Sequence, residues 1–451
     1  MIKKNEEYVI KIIDNGFQGE GIAKINDVTV FIPNAVKDEK IKIKILKVNK
    51  THAYGKIIEI IEPSENRIVS DCKTYLRCGG CSLRHVNYEK TIEMKKSAVE
   101  NTLKKTLGKE VKISDVIKME NPYFYRNKLQ YPIGVDENEN PVMGVFAERT
   151  HTIIPTDNCS IQNRLSQKIA NDIFSYICDN KISVYDELKL EGSIRHLIIR
   201  IGIKTNEVMI TIVSNTSEIK NEKELVSYIT KKYPEIKTIA KNINSKNTNV
   251  ILGNQTEIIY GDGYIYDILG NFKFKISPMS FYQVNPIQTE KLYNKAVEYA
   301  ELTGNETIFD LYCGIGTIGI FASEKAKKLY GIETIKEAIE DAWQNAEINN
   351  IKNAEFFVGD VEKTLPEFIK ERKILADVIF IDPPRKGCDK TALDTILNIE
   401  PKKIVYISCN PATLARDLKI LEEKYEINDI SICDMFPFTH HVECVAVLKL
   451  K

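Results

Sequence analysis

Polar and apolar residues change rhythm three times along the chain. Up to residue 62 they alternate, as in Ile41-Lys42-Ile43-Lys44-Ile45, with turn residues between the runs. Period-two alternation puts one side of a strand in a core and the other in solvent. Strands are predicted at Tyr8–Ile13, Gly21–Ile25, Val28–Ile32, Lys40–Val48 and Tyr54–Ile61. Five short strands in about sixty residues predict a small OB-like β-barrel. Over 85–107 the rhythm is helical. Ile92, Val99, Leu103 and Leu107 share a face, with Lys95, Lys96, Lys104 and Lys105 placed elsewhere.

From Phe124 to about Gly270 β-prone runs return, at Lys128–Gly134, Met143–Ala147, Ile194–Gly202, Glu207–Val213 and Ile236–Ile243. Helices are predicted at Gln167–Ile177 and Glu222–Lys232. That mixture predicts an α+β region. In the last third the strands are almost continuously apolar: Thr307–Leu311, Lys328–Ile332, Ala354–Val358, Asp377–Ile381 and the run Ile404–Ser408. Helical segments between them predict a doubly wound parallel sheet, with a closing strand pair at Ile427–Cys433 and Val442–Lys449. The whole is therefore a multidomain α/β chain.

A length of 451 residues is enough for two to four domains, and 43% apolar with 28% charged residues is ordinary globular composition. The sequence has no apolar run long enough for a membrane helix, and Met1–Glu7 has no apolar leader region, so a protein without membrane contact is expected, in the cytoplasm. In that setting ten cysteines read as reduced thiols or metal ligands. The net charge of zero hides an asymmetry. Residues 1–130 hold 25 Lys and Arg against 17 Asp and Glu, a net +8, and the remainder carries −8. A basic front predicts a polyanionic partner. The barrel lysines and the run Tyr125-Arg126-Asn127-Lys128 are the candidate contacts, by charge and by stacking.

Two cysteine patterns carry chemistry. Cys72, Cys78 and Cys81 lie within ten residues, the last two flanking Gly79-Gly80, and Cys159 is the candidate fourth ligand. Four thiolates suit zinc or an iron–sulfur cluster; a redox Cys-x-x-Cys is the third option. The second pattern is Ser408-Cys409-Asn410-Pro411, a buried strand delivering a thiol to its C-terminal end, where open α/β sheets place their ligands. Carboxylates close the neighbouring strands: Asp310, Glu333, Asp360 and Asp382. Gly314-x-Gly316-x-x-Gly319 follows the first, and Glu333, 19 residues past Gly314, suits ribose hydroxyls. The glycine loop fits NAD or S-adenosylmethionine. A carboxylate at Asp310 would repel a pyrophosphate and attract a sulfonium, which favours S-adenosylmethionine. A thiol at Cys409 with a base in His441-Val442-Glu443 is what methylation of carbon 5 of a pyrimidine requires.

These residues resemble the RNA (uracil-5-)-methyltransferase family over nearly the whole chain. The match rests on the barrel (a TRAM domain in that family), the four cysteines, Ser280–Asn285, Asp310–Gly316, Asp382-Pro383-Pro384-Arg385, Ser408–Pro411 and His441-x-Glu443. The resemblance implies Cys409 as nucleophile, Glu443 as the base for the carbon 5 proton, and Asp382 holding the uracil edge. It implies Gln283, Tyr312, Glu333 and Asp382 at S-adenosylmethionine, with Gly314 and Asp360 beside them. It implies a [4Fe-4S] cluster on Cys72, Cys78, Cys81 and Cys159, and 23S ribosomal RNA as substrate, since the tRNA branch typically lacks the cluster and the TRAM domain. Arg126 and Lys128 are expected at the RNA, which would be flipped at the target base. The expected domains are 1–62 (barrel), 63–83 with 118–280 (central, cluster-bearing) and 84–117 with 281–451 (Rossmann-like catalytic), in a monomer. The competing expectations are the same chemistry on tRNA, an inactive RNA-binding assembly factor, and an NAD-dependent oxidoreductase.

Overall fold

The computed structural model describes residues 2–451. Near the N-terminus the strands run in the order Glu7–Lys11, Lys40–Val48, His52–Glu62, Val28–Ile32, Gly21–Ile25 and Asp14–Asn15. The first and last of these are consecutive in sequence, and the Ile13 N–H donates to the Ile22 carbonyl at 2.8 Å. One stretch of chain thus borders both edges and closes the sheet into the expected barrel. Ile41, Ile43 and Ile45 are fully buried while the intervening lysines face out, as alternation requires.

A helix spans Tyr88–Leu107, capped by the Asn87 side chain and stopped by Gly108 at φ 73°, whose N–H reaches the Lys104 carbonyl. Its apolar face carries Ile92, Val99 and Leu103 as predicted, but Lys95 is not on the solvent side. It is buried and ion-paired to the equally buried Asp434 at 2.5 Å. Four methylenes and one paired charge fit a core that periodicity reserves for apolar residues. This helix packs on Pro411–Leu421, and a short strand at Asp115–Ile117 extends the C-terminal sheet.

The middle of the chain holds a seven-stranded sheet in the order Ile153–Pro155, Pro141–Phe146, Lys128–Val135, Ile194–Ile201, Val208–Ser214, Ile236–Ile243 and Gln255–Gly261. All its neighbours are antiparallel except Val208–Ser214 with Ile236–Ile243. Helices Arg164–Asp179 and Glu222–Lys232 pack on it through Ile169, Ile173, Leu225 and Ile229. A hairpin at Ile265–Leu269 and Phe272–Ile276, which periodicity did not resolve, joins the C-terminal core instead. Leu269, Phe272 and Phe274 cluster with Tyr293, Leu329 and Phe356.

The eight-stranded C-terminal sheet has the order Ala354–Val358, Lys328–Glu333, Thr307–Leu311, Val378–Ile381, Lys403–Ser408, Glu443–Leu450, Tyr425–Cys433 and Asp115–Ile117. The first five are mutually parallel, and Glu443–Leu450 runs against both its neighbours. Alternate residues feed two separate cores. Ile308, Phe380 and Val405 enter one, and Phe309, Ile379 and Ile404 the other. A strand buried on both faces has no polar alternation, which is why these runs read as continuously apolar. The sheet reverses direction of growth between Thr307–Leu311 and Val378–Ile381, the switch point where such folds bind ligands. Among the described residues no helix is long and apolar enough to cross a membrane.

Candidate active site

Backbone register assembles the site. Leu311 pairs with Ile381, Ile381 with Tyr406, and Ser408 with Cys444. One residue beyond these pairs, at the rim of the sheet, stand Tyr312, Asp382, and Cys409 facing Glu443. Glu333 ends the next strand on the other side. Groups separated by up to 131 positions in sequence thus share one edge (Tyr312 to Glu443).

The turns at this edge are tightly held. The Ser408 hydroxyl accepts from the Asn410 N–H at 3.2 Å, and the Asn410 side chain caps the following helix through the Ala412 N–H at 3.1 Å. The Asn410 amide also donates to the Arg385 carbonyl at 3.1 Å, tying the Cys409 turn to the Asp382-Pro383-Pro384-Arg385 turn. Cys409 itself stays half-buried and so remains reachable. Tyr312 sits at φ 64°, a left-handed conformation for a bulky residue, and its hydroxyl donates to Glu362 at 3.0 Å. Such backbone outliers concentrate at functional sites.

Burial dominates the electrostatics. It pushes the Cys409 thiol up to about 11, the carboxylates of Glu443 and Asp382 push the same way, and the Arg385 guanidinium opposes them. Burial likewise raises Glu443 well above the usual carboxylate range, reinforced by Asp382 and opposed by Arg385. Asp382 is pushed up to about 7 by burial. A thiol and two carboxyls whose charges bear on one another at the rim, with one guanidinium beside them, are poised for proton transfer rather than for static charge. Arg385 was legible only as part of a motif, and its influence on both Cys409 and Glu443 was not. His441 is held neutral, down to about 4, by burial and then by His440. The two rings lie 4.2 Å apart, and Phe17 of the barrel meets His440 edge-on at 6.2 Å. That contact joins the barrel to the rim and had no sequence signal.

The crevice beside the rim suits a nucleoside-bearing cofactor. A side chain added at Gly314 (φ 55°) would meet nothing within 4 Å, so the backbone there faces open space. Glu333 anchors this loop by accepting from the Gly314 N–H at 3.1 Å and the Ile335 N–H at 3.0 Å. Asp360 is exposed, accepts from Thr334 at 3.2 Å and pairs with Lys363 at 3.5 Å. Gln283 lies on the loop before the Pro286–Ala300 helix, and its carbonyl accepts from Asn127 at 3.0 Å. One expectation is corrected. Asp310 does not present a charge to the crevice: it is fully buried, accepts from the Gly319 N–H at 2.8 Å, and burial raises it to about 8. It braces the glycine loop from beneath, and Oδ1 stays unpartnered. The accessible carboxylates are Glu333, Asp360 and Asp382.

The four cysteines come together in part. Cys72, Cys78, Cys81 and Cys159 are free and half-buried. Burial pushes Cys81 up to about 12, and Cys159, Cys78 and Cys72 all act on it in the same direction. Cys81 and Cys159 pack against Tyr125 and Phe438. Among the described residues, however, no set of three or more Cys, His, Asp or Glu side chains converges closely enough to hold a metal ion. The thiols are neighbours whose side chains do not yet point at one centre. As a donor set, four thiolates fit zinc or an iron–sulfur cluster. Cys313 and Cys388 are buried away from this group.

Arg126 and Lys128 are both partly accessible. Burial and then the charges of Arg200 and Arg126 bring Lys128 down to about 8.

Comparison with known proteins places these features. The family model described as tRNA (Uracil-5-)-methyltransferase matches residues 87–451, and the TRAM domain model matches residues 3–58. A protein of Clostridium acetobutylicum named as an uncharacterized RNA methyltransferase is 49% identical, over 99% of this chain and 98% of its own length. One of Clostridium tetani, named likewise, is 45% identical over 99% and 97%. The crystal structure of a Pyrococcus abyssi tRNA (uracil-54, C5)-methyltransferase with S-adenosyl-L-homocysteine superimposes with a TM-score of 0.78 at 28% identity, covering 98% of this chain and all of that one.

Proposed function

The chain belongs to the tRNA (uracil-5-)-methyltransferase family and is an S-adenosylmethionine-dependent RNA methyltransferase; from that premise we propose that it methylates carbon 5 of a uridine in 23S ribosomal RNA. The observation that carries the chemistry is Cys409 facing Glu443 across adjacent strands with Asp382 on the next. Cys409 releases its proton to solvent, and its thiolate adds to carbon 6 of a flipped-out uracil, leaving an enolate-like electron pair at carbon 5. Asp382 holds the uracil edge over the thiol. S-adenosylmethionine, held by Gln283, Tyr312, Glu333 and Asp382 with Gly314 and Asp360 adjacent, supplies the methyl group. Glu443 then takes the carbon 5 proton, and the electrons of that C–H bond form the 5,6 double bond as Cys409 leaves.

Cys72, Cys78, Cys81 and Cys159 would hold a [4Fe-4S] cluster with an organising role, since the chemistry moves no electrons. Anaerobic purification should yield a brown protein; a colourless one with stoichiometric zinc would replace that assignment. Residues 1–62, 63–83 with 118–280, and 84–117 with 281–451 would act as the RNA-holding, cluster-bearing and catalytic parts of a cytoplasmic monomer, with the 265–276 hairpin packed into the catalytic part.

The four cysteines support ribosomal RNA. One observation favours tRNA as the second reading. The Pyrococcus enzyme named for uracil 54 of tRNA is matched from end to end, barrel region included, so the barrel does not separate the two substrates. Mapping 5-methyluridine in cells with and without the protein decides. Loss from 23S ribosomal RNA supports the proposal, and loss from tRNA alone transfers it to the second reading.

A further inference from the structure

Lys128 and Arg200 occupy paired positions on neighbouring antiparallel strands of the central sheet. Directly opposed residues project from the same face, a few ångströms apart. Arg200 is 4% exposed. Its Nη2 donates to the Ser280 carbonyl at 3.1 Å, while its Nη1 is buried without a partner. Arg126, two residues before Lys128, leaves a buried Nε unpartnered as well. The charges bearing on Lys128 are those of Arg200 and Arg126, both positive, and the group bearing on Arg200 is the Tyr282 phenol. No carboxylate balances them among the described residues. Arg126 also bears on Cys159, so part of its charge serves the thiols; Lys128 and Arg200 have no such outlet.

Like charges gathered out of water are unfavourable unless an anion joins them. This cluster is also stitched to the candidate active site. Asn127, between Arg126 and Lys128, donates its side-chain amide to the Gln283 carbonyl at 3.0 Å and its N–H to the Val284 carbonyl at 2.9 Å. Ser280, the partner of Arg200, lies on the same loop.

The geometry points to a phosphate-binding site formed by Lys128 and Arg200, flanked by Arg126, that takes an RNA backbone phosphodiester beside the target nucleotide. It rests on the RNA reading above and adds Arg200, which no motif signalled. A planar guanidinium with a free N–H next to an ammonium suits phosphate oxygens, and a dry wall strengthens the contact. A carboxylate on the methyl donor offers similar anion chemistry, so the test separates the two sources.

The affinity of a uridine-containing single-stranded RNA is measured against salt concentration for the full-length protein and for Lys128→Gln, Lys128→Arg and Arg200→Gln. Lys128→Gln should bind roughly tenfold more weakly at low salt and lower the slope of log affinity against log salt by about 0.7, the signature of one lost phosphate contact. Lys128→Arg should keep the slope. Arg200→Gln should match Lys128→Gln if it folds, and partly accessible Lys128 keeps the test open if it does not. S-adenosylhomocysteine affinity should be unchanged in all of them. An unchanged RNA slope in Lys128→Gln overturns the site, as does weakened S-adenosylhomocysteine binding with an intact slope. If the wild type leaves 23S ribosomal RNA unmethylated while the slope difference persists, the substrate reading fails and this site stands.

Discussion

The strand-end rim and the four-thiol lobe both gather reactive side chains, and they are held in opposite ways. Tyr312, Asp382, Cys409 and Glu443 hang from four adjacent strands whose pairing spaces them before any ligand arrives. Cys72, Cys78 and Cys81 sit in a stretch of turns with one isolated bridge, Cys78 to Ala147, and Cys159 comes from a separate loop. Backbone hydrogen bonds preorganise the rim, whereas the thiols are carried by turns and loops and, among the described residues, form no group that could hold a metal ion. The two are also neighbours. The His440 N–H donates to the hydroxyl of Ser82, next to Cys81, at 2.9 Å, and the His440 ring Nδ1 is hydrogen-bonded to the same hydroxyl at 3.1 Å. Phe438 packs with Cys81 and Cys159. The lobe therefore buttresses the loop that leads into Glu443.

The sharpest break of the comparison is Cys409→Ala, which should reduce methyl transfer to background while RNA binding and melting temperature stay near wild type. Full activity would refute the covalent route. Next comes Glu443→Gln, with turnover lower by about 10²–10⁴-fold, the usual scale for a lost proton-transfer group. It should trap an RNA–protein adduct that survives denaturing electrophoresis. Cys81→Ser should strip the visible absorption and slow turnover about tenfold, as loss of an outer support does. The alkylation rate of Cys409 should barely change, because strand pairing, not the lobe, holds Cys409 in place.

Smaller effects test the electrostatics of the rim alone. Arg385 opposes the raised pKa values of Cys409 and Glu443, so Arg385→Ala should raise both further. Thiolate and carboxylate then form at higher pH, and the rising limb of the rate profile should move to the alkaline side, with neutral-pH turnover down several-fold. Least of all, donor affinity should strengthen a few-fold between about pH 6 and pH 8. Asp382 titrates near about 7 in the free protein, and its ionised form attracts a sulfonium. S-adenosylhomocysteine, lacking that charge, should show a weaker dependence by calorimetry.

Much of this was readable in advance wherever the signal is local. Lys40–Val48 alternates and Val378–Ile381 does not, and both were placed correctly because one-sided and two-sided burial leave different periods in a strand. Ser408-Cys409-Asn410-Pro411 was legible because an apolar strand ends in a thiol at the edge where open α/β sheets place their ligands.

What stayed hidden depends on partners far along the chain. The isolated sequence places Lys95 off the apolar helix face and Asp310 beside a charged ligand, and gives Arg200 no signal. Packing buries all three, against Asp434, the Ser280 carbonyl and the Gly319 N–H. Residue types and strand ends are local properties, so composition and periodicity were enough to mark a thiol, a carboxylate and a glycine loop as candidate chemistry. Register between strands and removal of water are collective properties of the folded chain. They alone decided that Cys409 faces Glu443, and that burial and the two neighbouring carboxyls raise its thiol to about 11.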